Sequence, residues 1–383
     1  MGPGFGLFKV ELARRQFGGH VDTYLRYLTR TDPPADAVVA AFAALPPGTG
    51  HRMLQTALDE GIDHVPDAPP TLVSFFRQLD DVPLWVDWGQ LDRGGAVLLR
   101  AGLIGALVIT LYGLPHSYAS PAGNKPLVFS GRLTEKAGRR LGETARFVVT
   151  TCLPGALRRH GDGFKMAVEV RIMHAQVRRH ILQSGRWDAD AWGAPINQVH
   201  MAGTNLLFSG ALIIGLRRLG YVMTRRESEA LLALWRYSGY LSGVEAPLLC
   251  STVDEAQRLG NLIAAMEGPP DDDARRLMTA LLDASVPGGT RGGHWTLSAY
   301  YGLTRALIGD ELANGLRLPK TAWRVAVPVI RPLLLAYTTV GYRLPGVRAY
   351  HERVGLRGWE QGIKQSLGNA AAEFRLPERA GGW

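Results

Sequence analysis

The chain has 383 residues, enough for one large domain or two ordinary ones. With 46% hydrophobic and 20% charged residues it has a globular balance, which excludes a disordered or fibrous protein. Its net charge of +9 is spread in short Arg-Arg pairs with no long block of like charge, which speaks against a nucleic-acid partner and against a membrane-binding patch. The cysteines, Cys152 and Cys250, make neither a disulfide framework nor a CxxC metal site and fit a reducing, cytoplasmic compartment.

Strand alternation is nearly absent, and segments of 3.6-residue periodicity recur between Pro, Gly and Asp punctuation. The N-terminus carries no apolar run followed by a small-residue cleavage site, so it reads as neither a signal nor a transit peptide. Helices are predicted near residues 21–30, 34–44, 52–60, 71–79 and 88–113. The last contains the longest apolar run, 101–115, which is short for a membrane span and suits a buried helix. Further helices are expected near 132–152, 164–184, 195–219, 226–242, 252–267, 271–284, 294–315 and 320–341. Asp271 to Asp273, after two prolines, reads as a helix start with acids against the positive end of the dipole. The apolar run 326–340 is broken by Arg331 and Pro332. The pattern predicts an all-α protein with no integral membrane segment. It divides into a helical addition over 1–85, a main core over 86–344 and a polar tail over 345–383.

Three of these segments carry candidate chemistry. In "LTEKAGRRLGETARFVVTTC" (133–152), Arg140 and Thr144 are four residues apart and share a face, with Glu143 three residues after Arg140. As structure, this is a surface Arg–Glu pair on a helix buried through Leu141, Ala145 and Val148. As function, Glu143 and Thr144 are pocket groups that hydrogen-bond an oxygen species or move protons.

In "FKMAVEVRIMHAQVRRHILQ" (164–183), steps of three and four from Val170 reach His174, Val177 and Ile181, an apolar stripe with a histidine in its middle. Arg171 and Arg178 lie one turn before and after His174 on the same side. His180 faces elsewhere, so the two histidines cannot share a metal. A lone histidine on an apolar face is most often a satisfied core residue. Two flanking cations make poor packing, however, unless something anionic fills the cavity. A haem meets both needs, with iron for the imidazole and propionates for the arginines. A phosphate or carboxylate ligand would serve the arginines equally and leave the histidine without a purpose.

In "INQVHMAGTNLLFSGALIIGLRRL" (196–219), Ala202, Gly203, Ser209 and Gly210 allow close approach of another helix or of a flat cofactor, with His200, Thr204 and Asn205 as polar members. Thr204 contacts the cofactor in the second reading.

In order, the runs "SPAGNKPLVFSGRLTEKAGRRLGETARFV", "RIMHAQVRRH", "PINQVHMAGTNLLFS" and "LTRALIGDELANGLRLP" resemble the latex-clearing-protein family of haem b oxygenases, over roughly residues 80 to 320. That group also includes side-chain-cleaving oxygenases of secondary metabolism. The resemblance implies an elaborated globin-like helical core around haem b, with extra N- and C-terminal helices and His174 as the proximal iron ligand. It implies cofactor contacts for Arg171, Arg178 and Arg305, and it places the family's Arg-x-x-Lys-Thr motif on Arg140, Glu143 and Thr144. Here Glu143 stands where that family has lysine, so lysine capping of the iron is not available. Asn124 and Lys125 stand where the family has an acidic residue, which leaves Glu143 as a candidate acid–base group.

Latex-clearing proteins are exported, and no export signal is read here. The expected substrate is therefore an intracellular apolar small molecule, such as a terpenoid or another secondary metabolite. It would be oxidised with dioxygen or peroxide, by oxygen insertion or C=C cleavage. The alternatives are a globin-like haem protein for binding or sensing, a haem peroxidase or peroxygenase, and an all-α partner-binding protein without a cofactor.

Overall fold

The computed structural model describes residues 10–129, 137–286 and 291–367, and every regular element among them is helical. The chain opens with Val10–Phe17 (α1), His20–Leu28 (α2), Pro33–Phe42 (α3), Thr49–Asp59 (α4) and Pro70–Asp80 (α5). Trp88–Val108 (α6) runs on through a π-turn at Ile109–Gly113 into Leu114–Tyr118 (α7), and Pro121–Phe129 (α8) follows. The middle consists of Ala137–Cys152 (α9), Asp162–Gln183 (α10), Ala189–Trp192 (α11), Gln198–Phe208 (α12), Gly210–Arg218 (α13) and Arg225–Leu241 (α14). Val253–Met266 (α15), Asp272–Ser285 (α16), Arg291–Ile308 (α17), Asp310–Gly315 (α18), Ala326–Gly341 (α19) and Val347–Leu367 (α20) complete the described chain.

Local chemistry sets several of these boundaries. The Asp32 carboxylate accepts from the Ala35 backbone N–H, and prolines occupy the first turn of α3, where a missing N–H costs nothing. Thr224 and Glu227 form a reciprocal capping box at the start of α14. Asp271 caps α16 through the Ala274 N–H at 2.8 Å, and Asp272 and Asp273 fill its first turn, as the acid run predicts. Two predicted helices are each split. Ser209 leaves helical geometry between α12 and α13, and Gly309 (φ +88°) separates α17 from α18.

The core is continuous from α3 to α20. Val38, Leu54, Leu72, Phe75 and Phe76 of the expected N-terminal addition pack into the same cluster as Leu98, Val148, Ile172 and Trp235. Only α1 and α2 stand partly aside. Their Ala13, Val21, Tyr24 and Tyr27 form a second cluster with Val199, Met201 and Met266. Residues 347–367, read from sequence as part of a polar tail, form a helix that packs on α6 and α9.

The contact of α20 with α6 needs two glycines. α6 kinks at Gly102 (φ +50°) directly under Gly355, and a Cβ on Gly355 would stand 1.9 Å from the Leu99 carbonyl oxygen. Two stretches, Trp88–Tyr118 and Gln198–Arg218, are long and apolar enough to cross a membrane, and 67% of the 18-residue apolar window in each lies buried.

Candidate active site

Helix α10 carries the candidate centre and packs against α3, α9 and α14. Its buried residues include Phe164, Ala167, Val168, Arg171, Ile172, Ala175 and Arg178, together with Ile181 at the end of the predicted stripe. The stripe through His174 is different. Val170, His174 and Val177 are only half-buried. The Nδ1 of His174 is itself buried and has no hydrogen-bond partner among the described residues. A buried ring nitrogen with no protein partner is free to take a ligand or a water.

The electrostatics fit a ligating imidazole. Burial pushes the His174 pKa down from 6.5 to about 4, the charges of Arg178 and Arg140 push the same way, and Asp32 opposes them. The ring is therefore neutral at pH 7, the form that binds a metal. Because the unfolded chain takes up this proton first, stability is lost as the pH falls from about 6.5 toward about 4, by about 3 kcal/mol for this group, and above pH 7 nothing is lost. We expect the cofactor-free protein to show that loss in unfolding midpoints between pH 7 and 4.5. His174→Leu should remove it, and equal pH slopes in the two proteins would contradict the assignment.

The arginines beside His174 find their anions within the protein. Arg171 donates from Nε to Asp32 Oδ2 at 2.6 Å and from Nη2 to Oδ1 at 2.9 Å, a two-pronged pair with both side chains buried. Its guanidinium also lies 4.8 Å from the centre of the Phe75 ring. Arg178 donates from Nε to Asp36 Oδ1 at 2.8 Å and from Nη1 to the Ile196 carbonyl at 3.2 Å. Arg171 and Arg178, expected at the cofactor edge, thus have carboxylate partners within the protein. Both charges are already neutralised by α3, and the two pairs pin α10 one turn either side of His174. Asp32 and Asp36 are the site residues that sequence reasoning missed.

The other candidates separate. Arg140 is near enough for its charge to act on both His174 and Tyr118, and it makes no ion pair with a described carboxylate. Thr144 follows one turn later on the same face of α9. Burial raises the Tyr118 hydroxyl to about 12 against the pull of Arg140, and its carbonyl accepts from the buried Asn124 amide. Glu143 accepts from Arg139 Nε at 3.0 Å in a partly exposed pair, so its partner is Arg139 and not Arg140.

Thr204 is exposed, and its hydroxyl donates to the His200 carbonyl of its own helix at 2.9 Å. Arg305 is buried in a clip. It donates to the Leu318 carbonyl, Asp310 and Asn314, tying α17 to α18. Gly210 lies against Ala256 of α15, so the small residues of α12 and α13 serve helix packing.

The all-α chain has known relatives. Residues 80–338 match the family described as "ER-bound oxygenase mpaB/B'/Rubber oxygenase, catalytic domain". The chain belongs to this oxygenase family. Among its relatives is a rubber oxygenase of Streptomyces sp. (strain K30), 28% identical over 295 residues that cover 73% of this chain and 69% of the relative. The fold is similar to that of Latex Clearing Protein LCP in the closed state. The TM-score is 0.62 at 20% identity, covering 88% of this chain and 90% of that one. All of α6 to α18, including α9 and α10, lie inside the matched region of the oxygenase, whereas Asp32 and Asp36 lie before it.

Proposed function

We propose that this oxygenase binds haem b through His174 and oxidises an apolar small molecule, a terpenoid or another secondary metabolite, by oxygen insertion or C=C cleavage. The observation that carries the reading is the neutral imidazole of His174 with its buried, unpartnered nitrogen. When bound, haem b would supply the redox chemistry with dioxygen or peroxide that such a reaction needs.

The chain's own residues do the rest. His174 ligates, and the Arg171–Asp32 and Arg178–Asp36 pairs fix the pitch and rotation of α10 beneath it. With those two guanidiniums occupied, Arg140, whose charge acts on His174 and which makes no ion pair with a described carboxylate, is a cation that can meet an anionic group there. The Thr144 hydroxyl, on the same face of α9, can hold or pass a proton. The half-buried Val170 and Val177 present an apolar wall that excludes water. Both cysteines are free thiols, Cys152 pushed well above its usual pKa by burial, in keeping with a cytoplasmic enzyme.

The test is oxygen uptake by the purified haem-loaded protein with a panel of isoprenoid olefins. Arg140→Ala should slow turnover at least about tenfold, the size of a lost positioned charge. Glu143→Gln should stay within about twofold, as for an exposed ion pair. Equal losses in the two variants would refute this division of roles. A reducible haem with no uptake on any olefin would favour a binding or sensing protein.

A further inference from the structure

Helix α19 carries apolar residues on both sides. Val327 and Leu334 pack against the core, and polar contacts fix the same inward side. The buried Thr338 hydroxyl donates to the Leu334 carbonyl at 2.7 Å and accepts from the Val222 N–H at 3.1 Å, and just beyond the helix the Tyr342 and Tyr221 hydroxyls are 2.7 Å apart. Its outward side is apolar. Val325, Val329, Leu333, Tyr337, Val340 and Leu344 are 60%, 60%, 67%, 51%, 62% and 56% exposed. At 100° per residue they fall within about 120° of the circumference, one continuous stripe. A solvated helix turns such a stripe to the core.

The charge around this stripe is not scattered. Residues 317–364 hold nine Lys or Arg and two Glu, +7 of the chain's +9. Arg324 and Arg343 flank the stripe at its two ends, both exposed. On α20, Arg353, Arg357 and Lys364 are exposed and share one narrow face, opposite the Gly355–Trp359 side that packs inward. None of these five makes an ion pair with a described carboxylate. The apolar and cationic faces adjoin where Tyr337 of α19 meets His351 of α20, ring centres 5.5 Å apart.

We infer that this face docks on an anionic lipid surface, with the α19 stripe lying at the headgroup–acyl boundary and the α20 cations on lipid phosphates. An exposed aliphatic stripe bordered by arginines is the pattern of an interfacial helix. A second copy of the same face would bring +7 against +7. The inference stands apart from the proposed chemistry, since neither helix holds a residue assigned to the His174 site.

The experiment is flotation of the full-length protein with phosphatidylcholine vesicles containing roughly 30 mol% phosphatidylglycerol and with phosphatidylcholine alone. The protein should float with the anionic vesicles, at least about tenfold better than with the neutral ones, and rising salt should weaken binding. Leu333→Glu with Val329→Glu, and separately Arg353→Glu with Arg357→Glu, should each reduce flotation at least about tenfold. All four positions are exposed, so helix content and unfolding midpoint should not change. Failure to float, or equal flotation with both vesicles, would overturn the inference. So would a dimer dissolved by Leu333→Glu in a protein that ignores vesicles, which would assign the stripe to a second copy.

Discussion

Replacing Asp32 by asparagine should lower the unfolding free energy by about 3–5 kcal/mol, the cost of stranding a buried guanidinium without its counter-charge. Asparagine keeps the side-chain oxygen that caps α3, so the loss isolates the charge on Arg171 rather than the helix start. Arg171→Met alone should be nearly as costly, because it leaves the Asp32 carboxylate buried and unpaired. The double variant Asp32→Asn with Arg171→Met should recover much of the loss, since a buried pair is replaced by groups that need no partner. Chemical denaturation of the four proteins of this cycle measures the coupling. Additive losses would show that Asp32 and Arg171 do not act as a unit. Because the pair lies one turn from His174, Asp32→Asn should also loosen whatever His174 binds.

Gly95→Ala should destabilise by about 3 kcal/mol, at the upper end for overpacking, because nothing at this site can yield. A Cβ there would stand 2.0 Å from the Cys152 carbonyl oxygen at the end of α9, and the obstacle is backbone, not a movable side chain. The adjacent Gly94 does the same for α14, with a Cβ 2.2 Å from the Ala230 carbonyl oxygen. These two glycines let α6 touch two helices at once and so set where α9, with Arg140 and Thr144, sits relative to the core. Gly260→Ala in α15 is the control. No atom lies within 4 Å of its added methyl, and relief of glycine's helix penalty should stabilise by about 0.5–1 kcal/mol. Thermal unfolding of both variants decides the matter. A destabilising Gly260→Ala would show that the scale is set by something other than close approach.

Much of this was readable in the sequence because helices write their faces locally. The spacing of Arg171, His174 and Arg178 placed them together, and the acids after Pro270 marked the start of α16. What escaped was tertiary. Asp32 and Asp36 lie 139 and 142 residues from the arginines they neutralise, and Asp32 before two prolines reads only as a cap. Glu143 is one turn from Arg139 and close in sequence to Arg140, and only the packed fold shows that its partner is Arg139. α20 escaped because its inward side uses Gly355 and Trp359 where an aliphatic stripe is the usual signal, while its outward side is cationic. The dispersed Arg-Arg pairs likewise hid the concentration of charge that α19 and α20 bring to one end of the chain.

The most direct test of the central claim is the absorption spectrum of the purified protein after haem reconstitution, before and after dithionite, beside His174→Ala. The account predicts a Soret band that shifts on reduction and is lost or strongly altered in His174→Ala, with helix content retained. A colourless protein, or a His174→Ala protein with full haem and an unchanged spectrum, would contradict it and return His174 to the core as a packing residue.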